Sequence, residues 1–129
     1  MLFRSEMDTA AKLHKEFTGD PKVVTAEQAF EMATIRGARA LHIEKITGSL
    51  EAGKRADIVI LDWDDLNQVP FYSYYSSLVY ATKANDVRDV IVNGRILMKE
   101  RRLLTLNENA IKIDANTYRK KIIESLRNQ

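Results

Sequence analysis

The chain has 129 residues with 20 basic and 18 acidic side chains, no cysteine, and a hydrophobic fraction of 45%. This length suits a single domain and falls well short of the ~250 residues of an eight-fold α/β barrel. The basic residues are scattered rather than aligned with aromatic side chains, which argues against a nucleic-acid partner, and no apolar run approaches the ~18 residues of a membrane span. The lack of cysteine excludes disulfides and thiolate metal sites and fits the reducing cytoplasm, where we expect the protein.

The first predicted element is a helix from Leu2 to Phe17, because apolar side chains recur there at three- and four-residue steps. The run Gly19-Asp20-Pro21 ends this helix. His14 lies on the apolar stripe, and we interpret it as a packed side chain because a metal site needs several converging ligands.

A second helix is predicted to begin at Thr25, which has the spacing of a capping box with Gln28. Small residues form its stripe, which favours close packing against another backbone; the stripe consists of Ala29, Ala33, Gly37 and Leu41. Arg36 and Arg39 are candidates for an anion site, but arginines so placed on a helix are usually solvated or paired with carboxylates.

The segment from Gly48 to Lys54 has the G-x-x-x-x-G-K spacing of a phosphate-binding loop. Such a loop follows a strand, opens a helix and continues with Ser or Thr, whereas here Arg55 follows and a predicted strand comes next. We therefore interpret the segment as a turn in which Gly53 supplies an unusual backbone conformation and Lys54 and Arg55 face water.

The run Ile58-Val59-Ile60-Leu61 is apolar at consecutive positions, which predicts a central strand or a strand covered by a helix. Asp57 and Asp62 flank this strand. Carboxylates at its two ends would be ~16 Å apart, so they cannot act as an acid/base pair.

Two further apolar runs bracket Asn93-Gly94, the strongest short signal for a hairpin with a type I′ turn. A charged turn from Lys99 to Arg102 then leads into Leu103, so a short antiparallel meander should extend the first strand. Because a β-branched residue is poorly tolerated where φ is positive, Gly94→Val should destabilise the protein more than Gly48→Ala, with Gly48 taken as a plain loop residue.

The segment from Trp63 to Asn85 carries an aromatic cluster, whose members are Phe71, Tyr72, Tyr74, Tyr75 and Tyr80. The cluster is either a wall for a ring-shaped ligand or a packing surface, and we favour packing because no polar triad accompanies it. From Asn107 a last helix should run to about Arg127, with apolar residues along one side.

Three ordered blocks resemble the metal-dependent amidohydrolase superfamily, in particular its cytosine-deaminase and chlorohydrolase-like branch. The first is Met32 to Leu41, the second is the run Gly48-Ser49-Leu50-Glu51-Ala52-Gly53-Lys54-Arg55-Ala56-Asp57 with the strand after it, and the third is Val87 to Arg95. In that family a small β-sandwich closes up after a catalytic barrel. The resemblance therefore identifies the chain with the C-terminal portion of such a protein.

The family implies one divalent metal, zinc or iron, held in the barrel by a His-x-His pair, two further histidines and an aspartate. This sequence has only His14 and His42 and no His-x-His. No catalytic, cofactor-binding or metal-binding residue can therefore be assigned here, and we expect the isolated chain neither to bind zinc tightly nor to hydrolyse amidine or chloro-substituted rings.

We predict an α+β fold with two N-terminal helices, a small antiparallel or mixed sheet of three to four strands, and a C-terminal helix, the sheet being the remnant of a composite β-sandwich without the catalytic barrel. Residues 1–129 form one domain, in which 1–43 resemble the end of the barrel and 44–129 hold the strands and the last helix. The implied function is part of a hydrolase acting on carbon–nitrogen (non-peptide) or carbon–chlorine bonds of ring substrates, not competent alone. The alternative is a non-catalytic structural or interaction module.

The expected partner is the barrel portion or a second copy of the chain. Without the barrel, the small-residue helix face and the aromatic cluster would be bare, and large apolar patches usually find a partner. We therefore expect at least a dimer, with Ala33, Gly37 and part of the run Phe71 to Tyr75 at the contact. No membrane is expected as a partner.

Overall fold

The computed structural model describes residues 2–127, in which helices precede and follow a four-stranded sheet. The helices are α1 (Leu2–Thr18), α2 (Ala26–Met32), α3 (Ile35–Ala40), α4 (Tyr74–Ser76) and α5 (Glu108–Arg127), and the strands are β1 (Ile58–Leu61), β2 (Val87–Val92), β3 (Arg95–Lys99) and β4 (Arg102–Leu103). The α+β prediction is confirmed, and the described residues contain no barrel.

The core is small and lies between α1, α2 and the segment after α4. Its buried apolar members are Met7, Ala11, Ala29 and Val79. The last turns of α1 extend beyond this core, so Phe17 is 89% exposed. His14 is exposed as well, and its predicted packed position is therefore wrong.

The predicted second helix is divided in two. The Thr25–Gln28 capping box that starts α2 is confirmed, with both reciprocal hydrogen bonds present. The helix breaks at Thr34, whose hydroxyl donates to the carbonyl of Phe30 at 2.8 Å and so competes with continued helical bonding. A Cβ on Gly37 would lie 2.7 Å from the carbonyl oxygen of Met32, so its close backbone contact is with its own chain.

The sheet is an antiparallel meander in the order β1-β2-β3-β4, as predicted. Asn93 and Gly94 join β2 to β3 with φ of 50° and 78°, the positive values of a type I′ turn. Glu100 and Arg101 repeat this geometry between β3 and β4 with φ of 48° and 62°.

Strand β1 lies at the edge of the sheet, so the expected central position is not found, and its residues are half-buried or exposed rather than covered on both faces by residues 2–127. Val59 on this strand is 57% exposed. It belongs to an apolar row that crosses all four strands on one face, made of the cross-strand partners Val59, Val90, Met98 and Leu103. Three residues of this row, Val59, Val90 and Met98, line an open groove together with Arg101.

The molecule exposes far more surface than a self-contained domain. Its solvent-accessible surface is 10149 Å², whereas a folded monomer of this size exposes about 7,000 Å². The excess of about 3,000 Å² comes from incompletely covered elements, among them α5, which has no buried residue. No helix within the described range is long and apolar enough to cross a membrane.

Candidate functional site

The two histidines do not form a metal site. His14 is exposed on α1, and His42 is exposed beyond the end of α3 with a φ of 58°. Over residues 2–127 no three side chains of the His, Cys, Asp or Glu type converge in a way that would hold an ion. The residues present therefore do not fit the divalent metal that the resemblance implies, and no catalytic step is assigned to them.

The Gly48–Lys54 segment is a turn, in agreement with the structural interpretation of the sequence. The Lys54 ammonium group donates to the Ser49 hydroxyl at 2.6 Å and to a carboxylate oxygen of Glu51 at 2.9 Å. The Ser49 hydroxyl in turn donates to the Glu51 carboxylate, and this bond, followed by the Lys54 contact, lowers the pKa of Glu51. Because the Lys54 side chain is largely covered, the expectation that it faces water is wrong, and its charge is committed to this loop.

Gly48 packs more tightly than a plain loop residue would. A Cβ at this position would lie 2.7 Å from the Cβ of Ala38 and 3.2 Å from the Cα of Ile35, and φ is 95°. A Cβ on Gly94 would meet nothing within 4 Å. The interpretation of Gly48 as a plain loop residue is therefore wrong, because its missing side chain lets this loop lie directly on α3, whereas the positive φ expected at Gly94 is confirmed.

Asp57 and Asp62 have separate partners at the two ends of β1, as their spacing predicted. Asp57 accepts hydrogen bonds from the backbone N–H of Asn93 at 2.7 Å and from the hydroxyl of Thr47 at 3.0 Å. These bonds, the Asn93 one foremost, lower the pKa of Asp57. Asp62 pairs with Arg101 at 2.9 Å. Both carboxylates therefore stabilise turns rather than forming a catalytic pair.

The lowered pKa of Asp57 predicts a pH-dependent contribution to stability. A carboxylate whose folded-state pKa lies below its unfolded value of about 4 stabilises the folded state above that value and loses this effect as pH falls through the folded pKa. We therefore expect Asp57→Asn to lower the melting temperature at neutral pH and the difference from the parent to shrink below about pH 4. Thermal melts of both proteins across this pH range measure the difference in melting temperature, and Asp64→Asn, at an exposed position, is the control. A difference that stays constant with pH would contradict the assignment.

The aromatic cluster packs largely on itself and on α2. Trp63 makes edge contacts with Phe71 at 6.3 Å and Tyr74 at 5.8 Å between ring centroids, and Tyr75 lies 5.7 Å from Phe30. Much of the cluster nevertheless remains uncovered, with Tyr72 84% exposed. The favoured packing interpretation agrees with these internal contacts, and the exposed rings leave room for an outside partner.

A buried carboxylate that was not singled out in the sequence holds this segment in place. Asp86 is 2% exposed, and its Oδ2 accepts hydrogen bonds from the backbone N–H of Lys83 at 2.6 Å and from the side-chain amides of Asn67 at 2.9 Å and Gln68 at 3.1 Å. Burial alone would raise the pKa of Asp86, but these donors outweigh it and the pKa is lowered. The bond to Lys83 has a local signal, because the Asp86 carboxylate lies three residues after the start of a turn and can accept the backbone N–H of that first residue.

The last candidates are the two arginines of α3 and the small-residue stripe. Arg36 pairs with Glu31 at 2.7 Å, the carboxylate contact expected of a surface arginine, and Arg39 is exposed. Ala33 packs against the chain's own core. Ala33 and Gly37 are half-buried and Leu41 is 71% exposed, so the small-residue stripe is covered only in part from within the chain, and the expected contact of a second copy there stays a prediction.

Comparison with known proteins defines the class. The sequence profile of the Amidohydrolase family matches residues 2–97, about three quarters of the chain, and the chain belongs to this family. It is 43% identical over 122 residues to 5-methylthioadenosine/S-adenosylhomocysteine deaminase 1 of Syntrophus aciditrophicus (strain SB), covering 95% of this chain and 28% of that protein. It is 41% identical over 118 residues to 5'-deoxyadenosine deaminase of Methanosarcina acetivorans, covering 92% of this chain and 27% of the relative.

Solved structures agree with this assignment. A zinc-bound adenosine deaminase from Xanthomonas campestris superposes on 94% of this chain and 28% of its own with a TM-score of 0.87 and 34% identity. Atrazine chlorohydrolase TrzN from Arthrobacter aurescens TC1 superposes on 88% of this chain and 25% of its own with a TM-score of 0.75 and 24% identity, which shows a shared fold. The chain thus spans little more than a quarter of the proteins it matches and corresponds to the C-terminal portion of an amidohydrolase-type hydrolase.

Proposed function

We propose that this chain supports the catalytic barrel of a deaminase that acts on the adenine ring of a nucleoside, and that the barrel lies in an upstream portion of the same protein. The relatives that share 41–43% identity act, by their names, on 5'-substituted adenosines. The chlorohydrolase resemblance is limited to the fold. Hydrolysis of a carbon–nitrogen bond is therefore favoured over that of a carbon–chlorine bond.

The main support for this role is the large solvent-accessible surface that the chain leaves uncovered. An excess of about 3,000 Å² on one side of a contact is several times the ~800 Å² that each partner contributes to a standard interface. Such a value is typical of part of a domain rather than of a binding module. The partner that suits it is the rest of the same enzyme, against the sheet row from Val59 to Leu103 and the exposed aromatic rings.

No group of side chains within residues 2–127 would hold the metal ion, and we propose that the chain is not competent alone. We propose that its contribution is mechanical, since Lys15 on α1 donates a hydrogen bond to the hydroxyl of Tyr80 at 2.8 Å. This bond ties α1 to the aromatic segment. We also propose a cytoplasmic location, supported by the absence of cysteine from these residues.

A complementation experiment tests this function. The chain, the upstream portion and the two co-expressed are purified and given 5'-methylthioadenosine, and conversion of the adenine ring is followed by its ultraviolet absorbance. We expect deamination from the co-expressed pair and none from the chain alone, with the upstream portion alone losing at least tenfold in activity or failing to stay soluble. If the upstream portion were fully active by itself, the proposed supporting role of this chain would be contradicted. If the intact protein failed to deaminate 5'-methylthioadenosine, the proposed substrate class would be contradicted.

A further inference from the structure

The turn between β2 and β3 joins an asparagine to a glycine. Asn93 is the one asparagine of the sequence that glycine follows, and every other asparagine precedes a residue that has a side chain. Asn93 and Gly94 are both exposed among the described residues, and a Cβ built on Gly94 would meet nothing within 4 Å. The backbone nitrogen of Gly94 is therefore not shielded by a side chain of its own or by a neighbouring element.

An asparagine followed by glycine can lose its amide without an enzyme. The Gly94 nitrogen gives up its proton to water and attacks Cγ of Asn93, so that an N–Cγ bond forms. The Cγ–Nδ2 bond breaks, and the leaving nitrogen takes up a proton and departs as ammonia. Water then opens the five-membered imide at one of its two carbonyls, which gives aspartate or isoaspartate. Glycine favours the attack because it has no Cβ next to the nitrogen and its backbone rotates freely.

Two hydrogen bonds hold this turn in a conformation that does not react. The N–H of Gly94 donates to the carbonyl of Ala56 at 3.0 Å, and the N–H of Asn93 donates to Oδ1 of Asp57 at 2.7 Å. The Asp57 carboxylate is itself fixed by the hydroxyl of Thr47 at 3.0 Å. The attacking nitrogen is thus occupied in the closed turn, and the reaction has to wait for a local opening that separates the turn from residues 56–57.

We propose that Asn93 is a site of spontaneous deamidation and that Ala56 and Asp57 limit its rate by holding the turn closed. Either product weakens this hold. Aspartate places a second carboxylate beside Asp57, and isoaspartate adds a methylene to the main chain between the two N–H groups that the segment before β1 binds. This reaction of the protein's own side chain is independent of the enzymatic deamination proposed above.

Peptide mapping of the intact protein tests the site. The protein is incubated at mildly alkaline pH and digested, and mass spectrometry measures conversion of amide to acid while chromatography separates the aspartate and isoaspartate peptides. Asn85 and Asn116 are exposed as well but precede Asp86 and Thr117, so they are internal controls. We expect conversion at Asn93 to be roughly fivefold or more above that at either control. Equal conversion at the three positions, or none at Asn93, would overturn the assignment.

Variants of Asp57 test the role of the hydrogen bonds. In the folded protein Asp57→Ala should raise the rate at Asn93 roughly threefold or more, Asp57→Asn should raise it less because one acceptor oxygen remains, and the exposed control Asp64→Ala should leave it unchanged. Circular dichroism establishes that each variant is folded. Urea unfolding of the parent gives a comparison that needs no variant, and it should speed the reaction about tenfold. A folded parent that reacts as fast as the unfolded one, or a folded Asp57→Ala protein with the parent rate, would show that these contacts do not limit deamidation.

Discussion

Asp86→Ala should lower the free energy of unfolding by about 3 kcal/mol, the largest effect that we expect from a single side-chain truncation. The variant leaves the N–H of Lys83 and the amides of Asn67 and Gln68 without the acceptor that they share. Each buried donor left unsatisfied costs about 1–3 kcal/mol, and partial access of water to Asn67 reduces the sum. Urea unfolding of the purified protein, followed by tryptophan fluorescence, measures the change, because Trp63 lies in the segment that Asp86 anchors.

Asp86→Asn is the informative companion to this variant. It keeps one acceptor oxygen but loses the charge and adds donors, so its cost should fall between those of the parent and the alanine variant. Asp64→Ala, at an exposed position in the same segment, is the matched control and should change stability by less than about 0.5 kcal/mol. An Asp86→Ala protein within about 1 kcal/mol of its parent would mean that the network rearranges around water.

Gly48→Ala should cost about 2–4 kcal/mol, because it combines a steric clash with a backbone conformation that side-chain-bearing residues resist. The new Cβ would stand 2.7 Å from the Cβ of Ala38, and φ is 95°. Neither the steric clash nor the backbone strain can relax unless the loop moves away from α3. Chemical unfolding gives the measurement.

Gly53→Ala separates the two contributions to this cost. Its φ of 90° is close to that of Gly48, but a Cβ there meets nothing within 4 Å. We expect Gly53→Ala to show the backbone part alone, about 1 kcal/mol. If the two variants were equally stable, the contact between Gly48 and α3 would contribute nothing.

Sequence reasoning was most successful where the signal is local. The Thr25–Gln28 capping box and the Asn93–Gly94 turn depend on residues a few positions apart, and both were placed correctly. The limits of α1 and α5 were also predicted to within one residue, because an apolar stripe at helical spacing can be recognised without knowing what it packs against.

Long-range packing could not be predicted in the same way. Gly48 was taken for a loop residue because its neighbour Ala38 lies ten positions away and on another element. The buried role of Asp86 depends on donors near position 67, which no local pattern connects to it. The helix divides between α2 and α3 at Thr34, where the hydroxyl bonds back to the carbonyls of Phe30 and Glu31, and the energy of such bonds is too small to read from propensity alone.

The position of β1 has a consequence for how the protein has to be produced in the cell. Four consecutive aliphatic residues stand at an open sheet edge without a lysine or proline within them to discourage edge-to-edge addition. Short segments of this kind are prone to cross-β aggregation when they remain unpaired. A copy that folded without the barrel portion would therefore be prone to precipitation and proteolysis, which favours synthesis of both portions as one polypeptide or their folding together under chaperone protection.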